Sequence, residues 1–138
     1  MSRTLQRFVD AQAGVYDDVV LELGAGRKTS HWIWFIFPQI HGLGHSRMSQ
    51  KFAIASLREA EEYMRHPVLG PRLRECTNLV LNIDGKTIEQ ILGVPDNMKF
   101  CSSMTLFARA TAESKIFEDA LQKYFGGVAD RQTMEKLV

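Results

Sequence analysis

The sequence lacks most of the features that place a protein in a function class at first reading. It has two cysteines, Cys76 and Cys101, far apart and each in an apolar stretch, so they read as small core residues. Its four prolines and ten glycines are too few for a low-complexity or linker-like chain. The strongest apolar run, Trp32 to Phe37, is far too short to cross a bilayer, and no basic segment followed by an apolar one opens the chain. We therefore expect a cytoplasmic protein with reduced thiols and no membrane partner. Charge of one sign is missing too: 17 basic against 16 acidic residues leave +1. The longest basic runs are pairs such as Arg27-Lys28, so no nucleic acid is expected as a partner.

What is present is the composition of one ordinary globular unit. The apolar fraction is 45% and the charged fraction 24%. A chain of 138 residues buries roughly two thirds of its unfolded surface in one core. No repeat, linker or heptad run divides it. The expectation is an all-α protein, residues 1–138 forming a single compact multihelical domain of about six to eight helices.

The helices follow from spacing and stop signals. Leu5, Phe8, Val9, Val15, Tyr16, Val19 and Leu23 form one stripe, which predicts a helix from Thr4 to Leu23 ended by Gly24 and Gly26. The segment 30–38 is apolar on every side, and periodicity alone does not separate buried strand from buried helix; Ser30 as cap and Pro38 as stop make a two-turn helix reasonable. Residues 39–46, with two glycines and no period, read as a loop. Ser56 with Glu59 and Thr87 with Gln90 are capping-box patterns. Leu69, Leu73, Cys76, Val80 and Ile83 mark a longer helix, and Asp96 starts one that turns Phe100, Met104, Phe107 and Ala108 inward. A further helix carries Ile116 to Phe125, and Asp130 caps a last one.

No motif specifies a reaction. The loop Gly24-Ala25-Gly26-Arg27-Lys28-Thr29-Ser30 resembles a phosphate loop only superficially, because Arg27 stands where the glycine before the lysine is required and a helix, not a strand, leads in. Two cations and two hydroxyls ahead of a helix start still make it a candidate phosphate or carboxylate site. His31, His41 and His45 are a candidate zinc set, but Gly42 and Gly44 break the helix that would align the last two; no metal and no cofactor is expected. The candidate nucleophiles Ser46, Ser49, Ser102, Ser103, Cys76 and Cys101 lack a glycine-flanked elbow. Asp17-Asp18 and Glu61-Glu62 lie on polar helix faces.

The string Lys28-Thr29-Ser30-His31-Trp32-Ile33-Trp34-Phe35-Ile36-Phe37-Pro38-Gln39, then Gly42-Leu43-Gly44-His45-Ser46, resembles an uncharacterised bacterial domain-of-unknown-function family whose members often carry a mistaken calpastatin label. Phe8, Ala11-Gln12, Glu59-Ala60, His66-Pro67-Val68-Leu69-Gly70-Pro71-Arg72-Leu73 and Lys99 with Ser102-Ser103-Met104-Thr105-Leu106-Phe107 continue the likeness in the same order. The resemblance implies a compact multihelical fold, and hence helix around Trp34, but no activity. The calpastatin label does not fit a chain with a core and no repeats.

The family pattern sets Lys28, Ser30, His31, Gln39, His45, Ser46, Asp96, Lys99, Ser102 and Ser103 among apolar residues. If they converge they make a pocket for a small anionic ligand, nucleotide-like among the options. Lys28 and Lys99 would be its anion partners, His31 or His45 a proton carrier, Ser102 or Ser103 a hydrogen-bonding group and Trp34 a stacking wall. The alternative is a non-enzymatic interaction module or homo-oligomeric structural protein with the Trp32 to Ile40 segment in its interface.

Overall fold

The first helical stripe is continuous in sequence but broken in space. In the computed structural model, which describes residues 4–137, α1 (Gln6–Gln12) and α2 (Tyr16–Gly24) are separate helices. The break is at Gly14, which takes φ 80°, a left-handed conformation open to glycine at no steric cost. The apolar positions of both halves still reach one core: Phe8, Val19 and Leu23 are fully buried.

The chain continues through α3 (Ile33–Ile36), α4 (Arg47–Lys51), α5 (Leu57–Arg65), α6 (Leu69–Leu81), α7 (Ile88–Leu92), α8 (Asp96–Ala110), α9 (Lys115–Phe125) and α10 (Arg131–Lys136). The described residues thus hold ten helices and no strand, only an isolated bridge between Ile40 and Ile54. The excess over six to eight comes from the broken first helix and from the one-turn piece α4. The aromatic segment is helical, as expected, but shorter: α3 is four residues long and begins after Trp32 without a side-chain cap.

Several helix starts are set by the residues that the sequence marks. Thr87 and Gln90 form a complete reciprocal box, satisfying two N–H groups that the helix leaves unpaired. Asp130 accepts from Thr133 N at 3.0 Å. Ser56 accepts from Glu59 N at 3.2 Å, but the Glu59 carboxylate turns to Ala55 N and Arg7 instead of completing the box.

α8 is the axis of the fold. It packs against α5, α9, α10, α7 and α3. Phe100, Met104 and Phe107 are fully buried as expected, while Ala108 is half-buried. Ser102, Ser103 and Thr105 are buried with them; two of these hydroxyls donate to the carbonyl four residues back, Ser102 to Met98 at 3.1 Å and Thr105 to Cys101 at 2.9 Å. The ring of Phe37 meets Phe100 edge-on at 4.8 Å, fixing α3 against α8; each such ring adds roughly 1.5–3 kcal/mol of burial.

Candidate functional site

The glycine-basic loop after α2 does bind an anion, and the anion belongs to the protein. The Glu22 carboxylate accepts from Thr29 N at 2.7 Å, Ser30 N at 2.9 Å, Ser30 Oγ at 2.7 Å and the Trp32 indole N–H at 2.9 Å. Burial alone would raise this carboxyl, but the donors outweigh it and hold it at about 2. Ser30, expected as a helix cap or ligand contact, is thereby tied to Glu22. The bend that makes this possible is at Gly26, φ 79°, whose carbonyl takes Lys86 Nζ at 3.1 Å.

From that loop Lys28 reaches across to the start of α8. Its ammonium lies 2.8 Å from Asp96 Oδ2, and the Lys99 ammonium lies 3.2 Å from Asp96 Oδ1. The side chains are only 7%, 17% and 21% exposed for Lys28, Asp96 and Lys99, so a carboxylate between two cations leaves one net positive charge in a partly dry place. Each lysine also sits over an indole: Lys28 over Trp32 at 5.2 Å and Lys99 over Trp34 at 5.1 Å. One face of Trp34, the expected stacking wall, is therefore covered by a cation of the protein itself.

Asp96, Lys99 and Ser103 are spaced to lie on one face of α8. Among the described residues Ser103 Oγ and Trp34 Nε1 are buried without a hydrogen-bond partner. Each such group costs about 1–3 kcal/mol, which marks the α3–α8 contact as a place where polar capacity is not used up internally.

Lys99 opens on its other side into a cleft of about 220 Å³ between α8 and the 39–46 loop with the start of α4, bounded also by the start of α10. Gln39, Ser49, Ser102, Asp130 and Gln132 line it with Lys99, over walls of Leu43, Pro95 and Met98. A second cleft adjoins it through Leu43 and Gln132 and carries His45, Glu135 and Lys136.

Of the residues singled out from sequence, Lys28, Asp96, Lys99 and Trp34 thus come together, and Gln39 and Ser102 join Lys99 at the cleft. Ser46 lies apart, capping α4 through Ser49 N at 3.1 Å. His45 faces the adjoining cleft, whereas His31 and His41 are exposed and line neither. No group of three metal-ligating side chains occurs among the described residues. Both cysteines are buried and free, their thiols pushed up to about 12 for Cys76 and about 11 for Cys101 by burial.

Sequence reasoning missed Glu22 and Gln132, weighed Ser49 only as a nucleophile and placed Asp130 only as a helix cap. Glu22 did leave a signal: an acid in the last turn of a helix opposes the helix dipole, so another interaction must keep it there. Gln12, part of the family pattern, is also accounted for. Its amide donates to the Phe35 carbonyl at 2.8 Å and accepts from Arg72 Nη1 at 3.2 Å, joining α1, α3 and α6.

Among the described residues no helix is long and apolar enough to cross a membrane. A comparison with proteins of curated function gives no match. Among solved structures, a conserved hypothetical protein from Mycobacterium tuberculosis is similar at 56% sequence identity and a TM-score of 0.95, over 96% of this chain and 95% of that one. The family model described as "Protein of unknown function (DUF1810)" matches residues 2–137, and the chain belongs to that family.

Proposed function

We propose that this protein binds a small anionic ligand in the cleft beside Lys99, as a binding protein or an enzyme. The observation that carries the reading is the Lys28–Asp96–Lys99 arrangement: two ammonium groups share one carboxylate, and the more open of them lines a polar cleft. Lys28 holds Asp96 from behind, so that Asp96 neutralises only part of the Lys99 charge. Lys99 keeps N–H capacity for an incoming oxygen. Ser102 is within the same cleft as a hydrogen-bonding group, and His45 in the adjoining one is the better placed of the two candidate proton carriers.

Titration with inorganic phosphate, followed by NMR shifts of α8 amides and by melting temperature, tests this reading, because a ligand that binds only the folded state must raise the melting temperature. Shifts centred on Lys99 that vanish in Lys99→Met support it; shifts elsewhere, or none, refute it.

The rival reading, an interaction module or homo-oligomer, draws support from a different surface than Trp32 to Ile40. Trp32, Ile33, Phe35, Ile36 and Phe37 are spent in the protein's own core, whereas Val94 and Met98 beside the cleft are 75% and 53% exposed. Sedimentation at two concentrations separates the readings: a strict monomer removes the oligomer.

A further inference from the structure

Resting on the anion reading, the cleft itself narrows the ligand class: we infer that it takes a small phosphorylated polyol, a sugar phosphate, and not a nucleotide. The first ground is the kind of polar group present. Apart from Lys99, the polar lining is two carboxamides, Gln39 and Gln132, two hydroxyls, Ser49 and Ser102, and the carboxylate of Asp130. Carboxamides donate and accept at once, hydroxyls do the same, and a carboxylate accepts; a chain of C–OH groups offers both roles at successive carbons.

These groups have capacity to spare. Asp130 spends Oδ2 on Thr133, accepting from its N at 3.0 Å and its Oγ1 at 2.6 Å, and keeps Oδ1. Ser102 donates to the Met98 carbonyl at 3.1 Å and keeps its lone pairs.

The second ground is the wall. Leu43, Pro95 and Met98 give the C–H face of a sugar an apolar surface while its hydroxyl edge meets the polar groups. Among the described residues no aromatic side chain lines the cleft, yet a nucleobase is commonly held by stacking on one. Trp34 lies outside the cleft and already has the Lys99 ammonium over its ring at 5.1 Å.

The third ground is size. A cleft of about 220 Å³ lies below the roughly 300–1,000 Å³ of ordinary drug-sized sites. One sugar ring with its phosphate suits it. The phosphate sits at Lys99, and the hydroxyls run towards Asp130 and Gln132, the residues that bring the start of α10 into the site.

The experiment is a set of calorimetric titrations of the full chain with inorganic phosphate, ribose 5-phosphate, glucose 6-phosphate, glucose and AMP. At least one sugar phosphate is expected to bind about tenfold or more tighter than inorganic phosphate, the difference that one or two added hydrogen bonds make. Gln132→Leu, on an exposed side chain, and Asp130→Asn, which keeps an acceptor for the cap, narrow the advantage of the sugar phosphate over inorganic phosphate. Lys99→Met removes the binding of both. Sugar phosphates no tighter than phosphate overturn the ligand class while the anion reading stands. AMP tighter than every sugar phosphate overturns it in favour of a nucleotide. Silence towards phosphate and sugar phosphates alike overturns both.

Discussion

Replacing Glu22 by glutamine removes one negative charge and changes almost nothing in shape, so it isolates what the carboxylate does for the loop. In the native protein four donors converge on it. The amide oxygen of glutamine still accepts from Thr29 N, Ser30 N and Trp32 Nε1, and its NH2 turns to Ser30 Oγ as donor. What is lost is the charge assistance, which about doubles the strength of each bond. The displaced acidity gives the scale: from 4.5 to about 2 corresponds to about 3 kcal/mol in a dry site, and solvent around this incompletely buried group reduces it to about 1–2 kcal/mol. Urea denaturation followed by circular dichroism at pH 7 should show that loss, with the melting temperature lower by roughly 5 °C.

The pH dependence supplies the sharper test. The carboxyl is more acidic folded than unfolded, so folding favours its charged form. Its contribution is fully present above 4.5 and is lost as the pH falls through about 2. The gap in stability between the native protein and Glu22→Gln therefore closes over that window, while the other carboxylates, common to both, cancel. A gap that stays constant from pH 7 to pH 2, or no gap at pH 7, refutes the reasoning.

Three further outcomes follow from the packing. Asp96→Asn should cost about 3 kcal/mol in urea denaturation, more than Lys28→Met and much more than Lys99→Met, because it strands two largely buried cations while each lysine variant leaves Asp96 one partner; Lys99→Met as the most damaging of the three contradicts this ordering. Gly70→Ala should destabilise by about 2 kcal/mol or more, since its Cβ would stand 2.3 Å from the Met64 carbonyl oxygen and only backbone movement relieves it. At pH 8 neither cysteine should react with a thiol reagent in the folded protein, their thiols being pushed up to about 12 and about 11, while both should react in urea; fast modification of either in the folded state refutes the burial assignment.

How far sequence reasoning reaches depends on whether a residue's role is decided locally. The caps Thr87 and Asp130 act within three residues of themselves and are legible. The break at Gly14 is not, because the apolar stripe resumes in register after it and one glycine is tolerated inside many helical patterns. α8 reads as amphipathic but is buried nearly all round, since Ser102 and Thr105 donate to carbonyls of their own helix and Thr105 also accepts from Asp130 N at 2.8 Å. For the site, the family resemblance marked Lys28, Trp34, Asp96 and Lys99, yet spacing gave no hint that Asp96 stands between the two lysines. Asp130 and Gln132 enter the cleft from the end of the chain, a contact that no local pattern encodes.

These long-range pairings also decide which cation matters. The loop amides that looked ready for a phosphate are used by Glu22, and Lys28 is held almost wholly buried against Asp96. Both are anion sites already filled from within the chain. Lys99 differs in being the partner less deeply buried, in sharing a carboxylate whose charge Lys28 already offsets, and in facing a cleft whose other polar groups are mostly neutral. A cation so placed is attracted to an external anion more strongly than an isolated surface lysine, because Asp96 is occupied and the surroundings screen less than water. On the proposed reading, raising ionic strength should therefore weaken phosphate binding at Lys99 less than it weakens phosphate attraction to an exposed lysine such as Lys115, which pairs with Asp119 on the surface of α9.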